Sequence, residues 1–418
     1  MKILVAHPTG NRNVRAILSS LFERQMLADF HSTVALTGEE AWLQRLPATL
    51  QQELLRRSYP IPSTLIKAHP WREVLRMVAQ KGRLQRLLQP ETGWASIDAI
   101  YRDLDHRVAQ SLRSSSLDAV YAYEDGALET FRRAKDLGLT CIYDLPIAYW
   151  ETGRQLMQQE AERYPDWVQT LGGSIQDSSE KTDRKTQELA LADVVITSGS
   201  FVSDSLPAFA RAKDQIVSPF GSPLTATTEP RPAGRGPLRV LFAGSMGQRK
   251  GLADLFAAVK QLPKGSIELV VMGSLLAPLA FYRQQYADFT YEAGRPHDQV
   301  LALMRSCDVF CLPSIVEGRA LVMQEAMSQG LPLIITPNTG GADLIREGET
   351  GFLVPIRSPE RIAEKLVWFL EHRDAIPEMG RQAQQHAARY TWERYGQRIA
   401  TALQGLPTRT HSPAFNQL

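Results

Sequence analysis

Along most of this chain, short β-branched runs alternate with longer amphipathic stretches, and the alternation stops once and starts again. Strand-like runs fall at Lys2–Ala6, Thr33–Leu36, Ala119–Tyr123, Thr140–Tyr143, Val194–Thr197 and Ile216–Ser218. Helix-like stretches such as Gly126–Leu137 and Ser200–Ala210 lie between them. Residues 221–237 then read GSPLTATTEPRPAGRGP, rich in Pro and Gly, as a linker does. The pattern resumes with strand-like Leu238–Ala243, Ile267–Met272, Phe289–Glu292, Val309–Leu312, Leu333–Thr336 and Phe352–Val354. Helix-like Leu252–Gln261, Val300–Arg305, Leu321–Gln329 and Arg361–Glu371 separate them. Strands joined through helices build a parallel sheet with both faces covered. Two such runs predict an α/β chain of two Rossmann-like, doubly wound domains facing a cleft. Ligands then sit at the carboxyl ends of the strands.

The expected division is an N-terminal domain over 1–220, a linker over 221–237 and a C-terminal domain over 238–389. A helix over 390–406 crosses back to the first domain, and a polar tail over 407–418 is frayed. Leu46–Leu112 and Tyr149–Ala192 exceed a minimal strand–helix unit. Both are read as helical insertions of the N-terminal domain.

Composition narrows the class. A 418-residue chain with 44% apolar residues supports two to three packed domains. A net charge of +2 decides nothing about nucleic acid, and no such partner is expected. Cys141, Cys307 and Cys311 are too few and too scattered for a disulfide framework or zinc site. The first apolar run is short for a signal peptide and no stretch approaches a membrane span, so a cytoplasmic chain is expected.

The chemistry concentrates in two loops of the second half. The first is Gly244-Ser245-Met246-Gly247-Gln248-Arg249-Lys250-Gly251, between a strand and a helix. Its glycines admit close backbone approach, the helix start offers free amides, and Arg249 and Lys250 add two cations. Together these suit a diphosphate, whose growing charge two cations would stabilise as a leaving group departs. The same residues also fit a tight turn with two solvated cations. The second loop is Glu317-Gly318-Arg319-Ala320, followed by Leu321-Val322-Met323-Gln324-Glu325. Amides near Leu321 and Val322 form a second phosphate-binding helix start, and Glu325 suits a pair of ribose hydroxyls. Alternatively, Glu317 is a loop solvator and Glu325 a helix-dipole partner.

Taken in order, these motifs resemble the E-x7-E signature of retaining glycosyltransferases of family 4, with the GT-B fold and an R-K-G diphosphate loop. The resemblance extends to Thr339–Ile345 and Gly348–Pro355 and covers about 238–389. It implies a nucleotide-sugar donor in the C-terminal domain and an acceptor in the N-terminal one. Glu325 would take the ribose and Glu317 a donor-sugar hydroxyl. Arg249 and Lys250 would neutralise the diphosphate without a metal or other cofactor, and Gly294-Arg295-Pro296 would lie at the base. Retention of anomeric configuration follows, with attack on the face the nucleotide leaves. Ser245 stands where many members have Arg. Arg319-Ala320 replaces the usual Phe-Gly, adding a cation near the donor.

In the N-terminal half the resemblance points to the loop Gly10-Asn11 near the diphosphate, with Asn11 or Asn13 as a helix cap; a plain strand-to-helix turn fits as well. Asp144 and Tyr149 are candidates for the acceptor side, against a simple strand-end turn before Pro146. Glu124 is either an acceptor contact or part of a cap. The only D-x-D, Asp103-Leu104-Asp105, is read as solvated surface. Arg45–Arg86 carries nine Lys/Arg against Glu53 and Glu73, with apolar residues interleaved. That face could meet anionic lipid or receive a lipid-linked acceptor, making the chain peripheral at an inner membrane face, or it could be an ordinary solvated helix. An epimerase on the same frame and a binding protein without activity are the alternative functions.

Overall fold

The computed structural model describes residues 1–113, 117–172, 175–223 and 236–406. Most of the expected linker and all of the expected tail lie outside the described residues.

Two parallel sheets form the frame. The first contains β1 (Ile3–Ala6), β2 (Leu27–Ser32), β3 (Ile66–Ala68), β4 (Ala119–Tyr123), β5 (Thr140–Leu145), β6 (Val194–Thr197) and β7 (Asp214–Val217). Its order is β3-β2-β1-β4-β5-β6-β7. The second contains β8 (Leu238–Ala243), β9 (Ile267–Met272), β10 (Phe289–Glu292), β11 (Val309–Leu312), β12 (Leu333–Ile335) and β13 (Gly351–Leu353), in the order β10-β9-β8-β11-β12-β13. Each order reverses once, between β1 and β4 and between β8 and β11. A reversal splays the flanking loops and opens a crevice above the strand ends. Strands in both sheets are apolar on both faces: β8, β9 and β11 bury Val240, Leu241, Val270, Val271, Phe310 and Cys311 completely. That is the mark of a sheet covered by helices on each side.

Three features differ from expectation. The second strand is Leu27–Ser32, one step before Thr33–Leu36. Asp29, His31 and Ser32 give it no apolar signal, whereas the β-branched stretch after it contributes only an isolated bridge from Leu36 to Ser58. The insertion Leu46–Leu112 is not wholly helical, since it contributes the edge strand β3. Ser200–Ala210 is also broken, into a helix Ser200–Asp204 and a 3-10 turn Ala208–Ala210.

The second insertion requires a larger correction. Its helix Trp150–Arg163 leaves the N-terminal domain, and the following turn Pro165–Thr170 rests on the C-terminal one. Trp167 is buried edge-on among Phe256, Phe281 and Tyr282, inside the core of the second sheet. Below it, Glu160 is fully buried and accepts from Gln248 Nε2 at 2.6 Å while pairing with Arg357. Arg163 pairs with Asp254 at 2.7 Å. A strap from the first half is thus part of the second domain. In return, the helix Trp392–Gln404 packs on the helix Arg12–Glu23 and places Tyr395, Ile399 and Leu403 in the N-terminal core.

Candidate active site

The C-terminal crevice opens where the order of the second sheet reverses. Its floor is two glycines at the ends of β8 and β9. Gly244 and Gly273 adopt φ of 150° and 153°, and a Cβ on Gly273 would overlap the Gly244 carbonyl. Side chains are therefore excluded from the floor, and a ligand meets backbone there. Ser245, Lys250, Ser274, Arg295, His297, Leu321, Val322 and Glu325 line the walls of a hollow of about 520 Å³. Lys250 and Glu325 face one space. The volume falls within the range of small-molecule and cofactor sites.

Local sequence explains the placement of each group. After β8 the chain makes a 3-10 turn, Gln248–Lys250, and Gly251 then starts the helix Leu252–Val259. Gln248 anchors the turn: its side chain accepts from Ala253 N at 2.9 Å and donates to Glu160 and Asp254. Its own amide donates to Thr170 Oγ1 at 3.1 Å. With Gln248 fixed from below, Lys250 projects into the crevice. Its Nζ lies 2.6 Å from Glu317 Oε1, and Arg249 reaches the same oxygen at 2.9 Å. Glu317 is 8% exposed, so this carboxylate is held by two cations largely out of water.

The opposite wall is the start of the helix Leu321–Ser328, whose first amides have no partner within the helix. Glu325 stands one turn in and meets His297 Nε2 at 3.0 Å. Arg295 pairs with Glu292 at the end of β10. Pro296 starts the helix His297–Arg305 behind it and is not among the wall residues. Gly318 is wedged against the N-terminal domain, where a Cβ would overlap the Pro146 carbonyl beyond β5. This contact brings the Glu317 loop to the strand ends of the first sheet.

Arg319 corrects an expectation. It adds no cation to the donor crevice. Its side chain is fully buried and turned away, bonded to Asp343 at 2.7 and 3.1 Å, to Gln324 Oε1 and to the Gly340 carbonyl. A buried guanidinium needs several acceptors, and this loop supplies them. Ala320 lies at the crevice wall beside it.

In the N-terminal domain, the candidates separate. Gly10 lines a second cavity, at the ends of β1 and β2. Asn11 occupies the cap position of Arg12–Glu23, but its side chain caps nothing. Asp144 is buried and accepts from Tyr121 Oη at 2.6 Å; burial pushes its pKa up to about 7. Glu124 pairs with Lys185 at 3.2 Å beneath the sheet ends. Tyr149 is fully buried, its hydroxyl 3.0 Å from Thr186 Oγ1. These three side chains hold the domain together and do not line the cavity. The D-x-D also departs from the solvated reading. Asp105 is buried and accepts from Glu129 N and Thr130 N, capping the helix Leu128–Asp136. Sequence reasoning missed His297, Gly273 and Ser274. Only the position of Gly273 at a strand end hinted at a role.

Two parallel Rossmann-like domains meeting over such a crevice define a GT-B fold. Residues 226–386 match the family model "Glycosyl transferases group 1". Curated relatives agree. A D-inositol 3-phosphate glycosyltransferase of Corynebacterium urealyticum is 25% identical over 272 residues, covering 62% of this chain and 61% of its own. The putative colanic acid biosynthesis glycosyltransferase WcaL of Escherichia coli K12 is 27% identical over 207 residues, 46% of this chain and 51% of its own. The chain thus spans about half to three fifths of the length of such relatives. Solved structures share the whole fold. Anabaena HepE in complex with UDP has a TM-score of 0.57 at 16% identity, covering 97% of this chain and 100% of that one. WaaG, a glycosyltransferase involved in lipopolysaccharide biosynthesis, has 0.59 at 14%, with 97% and 100% covered. No helix among the described residues is long and apolar enough to cross a membrane.

Proposed function

We propose that the protein is a retaining glycosyltransferase that moves a sugar from a nucleoside-diphosphate sugar to an acceptor held by the N-terminal domain. The observation that carries this reading is the shared crevice of Lys250 and Glu325, floored by Gly244 and Gly273. In it, Glu325 and His297 take the ribose, and the base lies toward Gly294 and Arg295. The diphosphate lies between Lys250 and the amides of Leu321 and Val322, with Ser245 beside it. Without donor, Glu317 supplies the negative charge that holds Arg249 and Lys250 in place. When the diphosphate arrives it takes over that charge, and Glu317 turns to a sugar hydroxyl. Two organised cations then stabilise the leaving phosphate, the role a divalent metal has in other transferases. A carboxylate clasped by two cations is a poor nucleophile, which favours attack from the face the nucleotide leaves over a covalent intermediate. The departing phosphate oxygen takes the acceptor proton.

The acceptor belongs to glycan or glycolipid assembly in this reading, in keeping with the names of the relatives. The basic Arg45–Arg86 segment would meet an anionic inner membrane face peripherally. A panel of nucleoside-diphosphate sugars in a thermal-shift assay, with and without a chelator, tests the donor site. A ligand at one hundred times its Kd stabilises by about 2.7 kcal/mol, so the true donor stands out. One responsive donor, unaffected by chelation, is expected. If no nucleoside diphosphate shifts the transition, the proposal fails. If binding occurs with no transfer to any acceptor preparation and no donor hydrolysis, a sugar-nucleotide-binding protein replaces it.

A further inference from the structure

The turn that carries Arg249 and Lys250 does not close on its own. Gln248 opens the 3-10 turn Gln248–Lys250, so its backbone amide has no acceptor within that turn. A buried amide needs a partner. Here the partner comes from the other half of the chain. Thr170 Oγ1, at the end of the strap, accepts from Gln248 N at 3.1 Å and donates its own proton to the Trp167 carbonyl at 2.7 Å. The hydroxyl is thus used both ways, and Thr170 is 1% exposed. Gly247 lies flat on the same residue, where a Cβ would stand 2.4 Å from the Thr170 carbonyl oxygen.

The strap holds the Gln248 side chain as well. Its Nε2 donates to Glu160 at 2.6 Å and to Asp254 at 3.0 Å, and its Oε1 accepts from Ala253 N in the first turn of the next helix. Glu160 is completely buried and is steadied by Arg357, whose φ of 60° is uncommon for a residue with a side chain. Such backbone persists only where its surroundings over-determine it. The second loop of the crevice shares this footing. Ile315 and Val316, just before Glu317, pack with Met157 of the strap and Leu171 at its end. Ile315 N also donates to the Arg249 carbonyl at 2.9 Å. The ion pair between Lys250 and Glu317 therefore joins two loops seated on one piece of the N-terminal half.

We infer that Thr170 and Glu160 are positioning residues of the transfer reaction. Through Gln248 they fix the turn from which Arg249 and Lys250 reach the diphosphate. This rests on the transferase reading and adds the residues that hold its cations in register. Neither residue lines the crevice, and both lie outside the segment 226–386 that matches the family model. Preorganised charge acts only where it is fixed, and a displacement of about 1 Å can cost on the order of a hundredfold in rate. Packing alone does not account for the hydroxyl. Trp167 fills the apolar socket, whereas Thr170 brings one donor and one acceptor to the domain boundary and uses both.

The whole chain and inorganic pyrophosphate test this, by calorimetric titration and by hydrogen exchange. Thr170→Val keeps the shape of the side chain and loses the hydroxyl. Thr170→Ser keeps the hydroxyl and loses a methyl. Thr170→Val should bind pyrophosphate about tenfold more weakly, the upper end of what one hydrogen bond contributes, with faster exchange confined to 246–251. Thr170→Ser should bind as the parent does. Glu160→Gln is the second variant, should Thr170→Val not fold. It offers one acceptor oxygen where Gln248 and Arg357 each use one, and the same weakening and the same local exchange are expected. A loss in Thr170→Ser equal to that in Thr170→Val would mean that only the methyl matters, and overturns the proposal. So does parent-like affinity in folded Thr170→Val, or faster exchange spread through the helix Leu252–Val259. A parent protein that binds no pyrophosphate overturns it too. If that parent still binds a nucleoside diphosphate, the transferase reading stands without the strap; if it binds neither, both fall.

Discussion

Lys250 Nζ and Glu317 Oε1 lie 2.6 Å apart, although they belong to different strand–helix units of the second sheet. Arg249 shares the same oxygen. The diphosphate loop and the E-x7-E loop therefore form one electrostatic unit before any ligand arrives. Lys250→Ala should lower transfer by about 10²–10³-fold, the usual cost of removing one preorganised donor to developing charge. The thermal transition should barely move. Near-normal turnover in a folded Lys250→Ala would remove Lys250 from the mechanism.

Glu325 and His297 face each other at 3.0 Å on one crevice wall. A ribose clamp should matter for nucleosides and not for bare phosphates. Glu325→Ala should weaken a nucleoside diphosphate by about 1–3 kcal/mol, the cost of hydrogen bonds to a charged group. Affinity for inorganic pyrophosphate should be unchanged. Calorimetric titration of both ligands decides, and a parallel loss for pyrophosphate would move Glu325 to another role.

Arg319 answers to stability before activity. Removing it leaves Asp343 and the Gly340 carbonyl without their cation and opens a space over Tyr390. Asp343 keeps some contact with water, so Arg319→Ala should cost about 3 kcal/mol, the lower end for breaking a buried pair. Urea unfolding measures it. Full stability with lost donor binding would return Arg319 to the crevice.

Asp144 gives the chain a pH signature. Burial raises its pKa from 3.8 to about 7, against the Tyr121 hydroxyl bond that lowers it; the Glu124 charge raises it further. Between pH 4 and 7 the folded chain keeps a proton that the unfolded chain gives up. Stability from this group therefore falls as pH rises through that window and levels off above the folded pKa. Asp144→Asn has no such slope. Its stability relative to the parent should rise from pH 4 to 7 and then stay flat, by denaturant unfolding at several pH values. A constant difference would show that Asp144 is ionised in the fold.

The sequence was most legible where the chain is most regular. β4, β6, β8, β9 and β11 fall on the runs that the pattern marked, because strands buried on both faces are continuous apolar stretches. The crevice was legible for a related reason: Lys250 and Glu317 occupy turns that strand ends and glycines delimit, and Glu325 lies one turn into the helix that follows the second of them. β2 was not, since Asp29, His31 and Ser32 look polar and only neighbouring strands make them extended. Arg319 was misread because sequence position says a side chain is near a site and not which way it turns. The strap escaped notice altogether. Nothing in Trp167 or Glu160 says that its partners are Phe256 and Gln248, far along the chain in the other domain.

The seating of Trp167 changes what the two halves are. Cutting the gene between them at 221–237 would give a C-terminal fragment with an empty socket between Phe256, Phe281 and Tyr282, and an unpaired Asp254 below it. The N-terminal fragment would in turn lose Tyr395 and Ile399 from its own core. Each half has lent the other an organ, so neither should survive the separation alone, while both expressed together have what they need to reassemble.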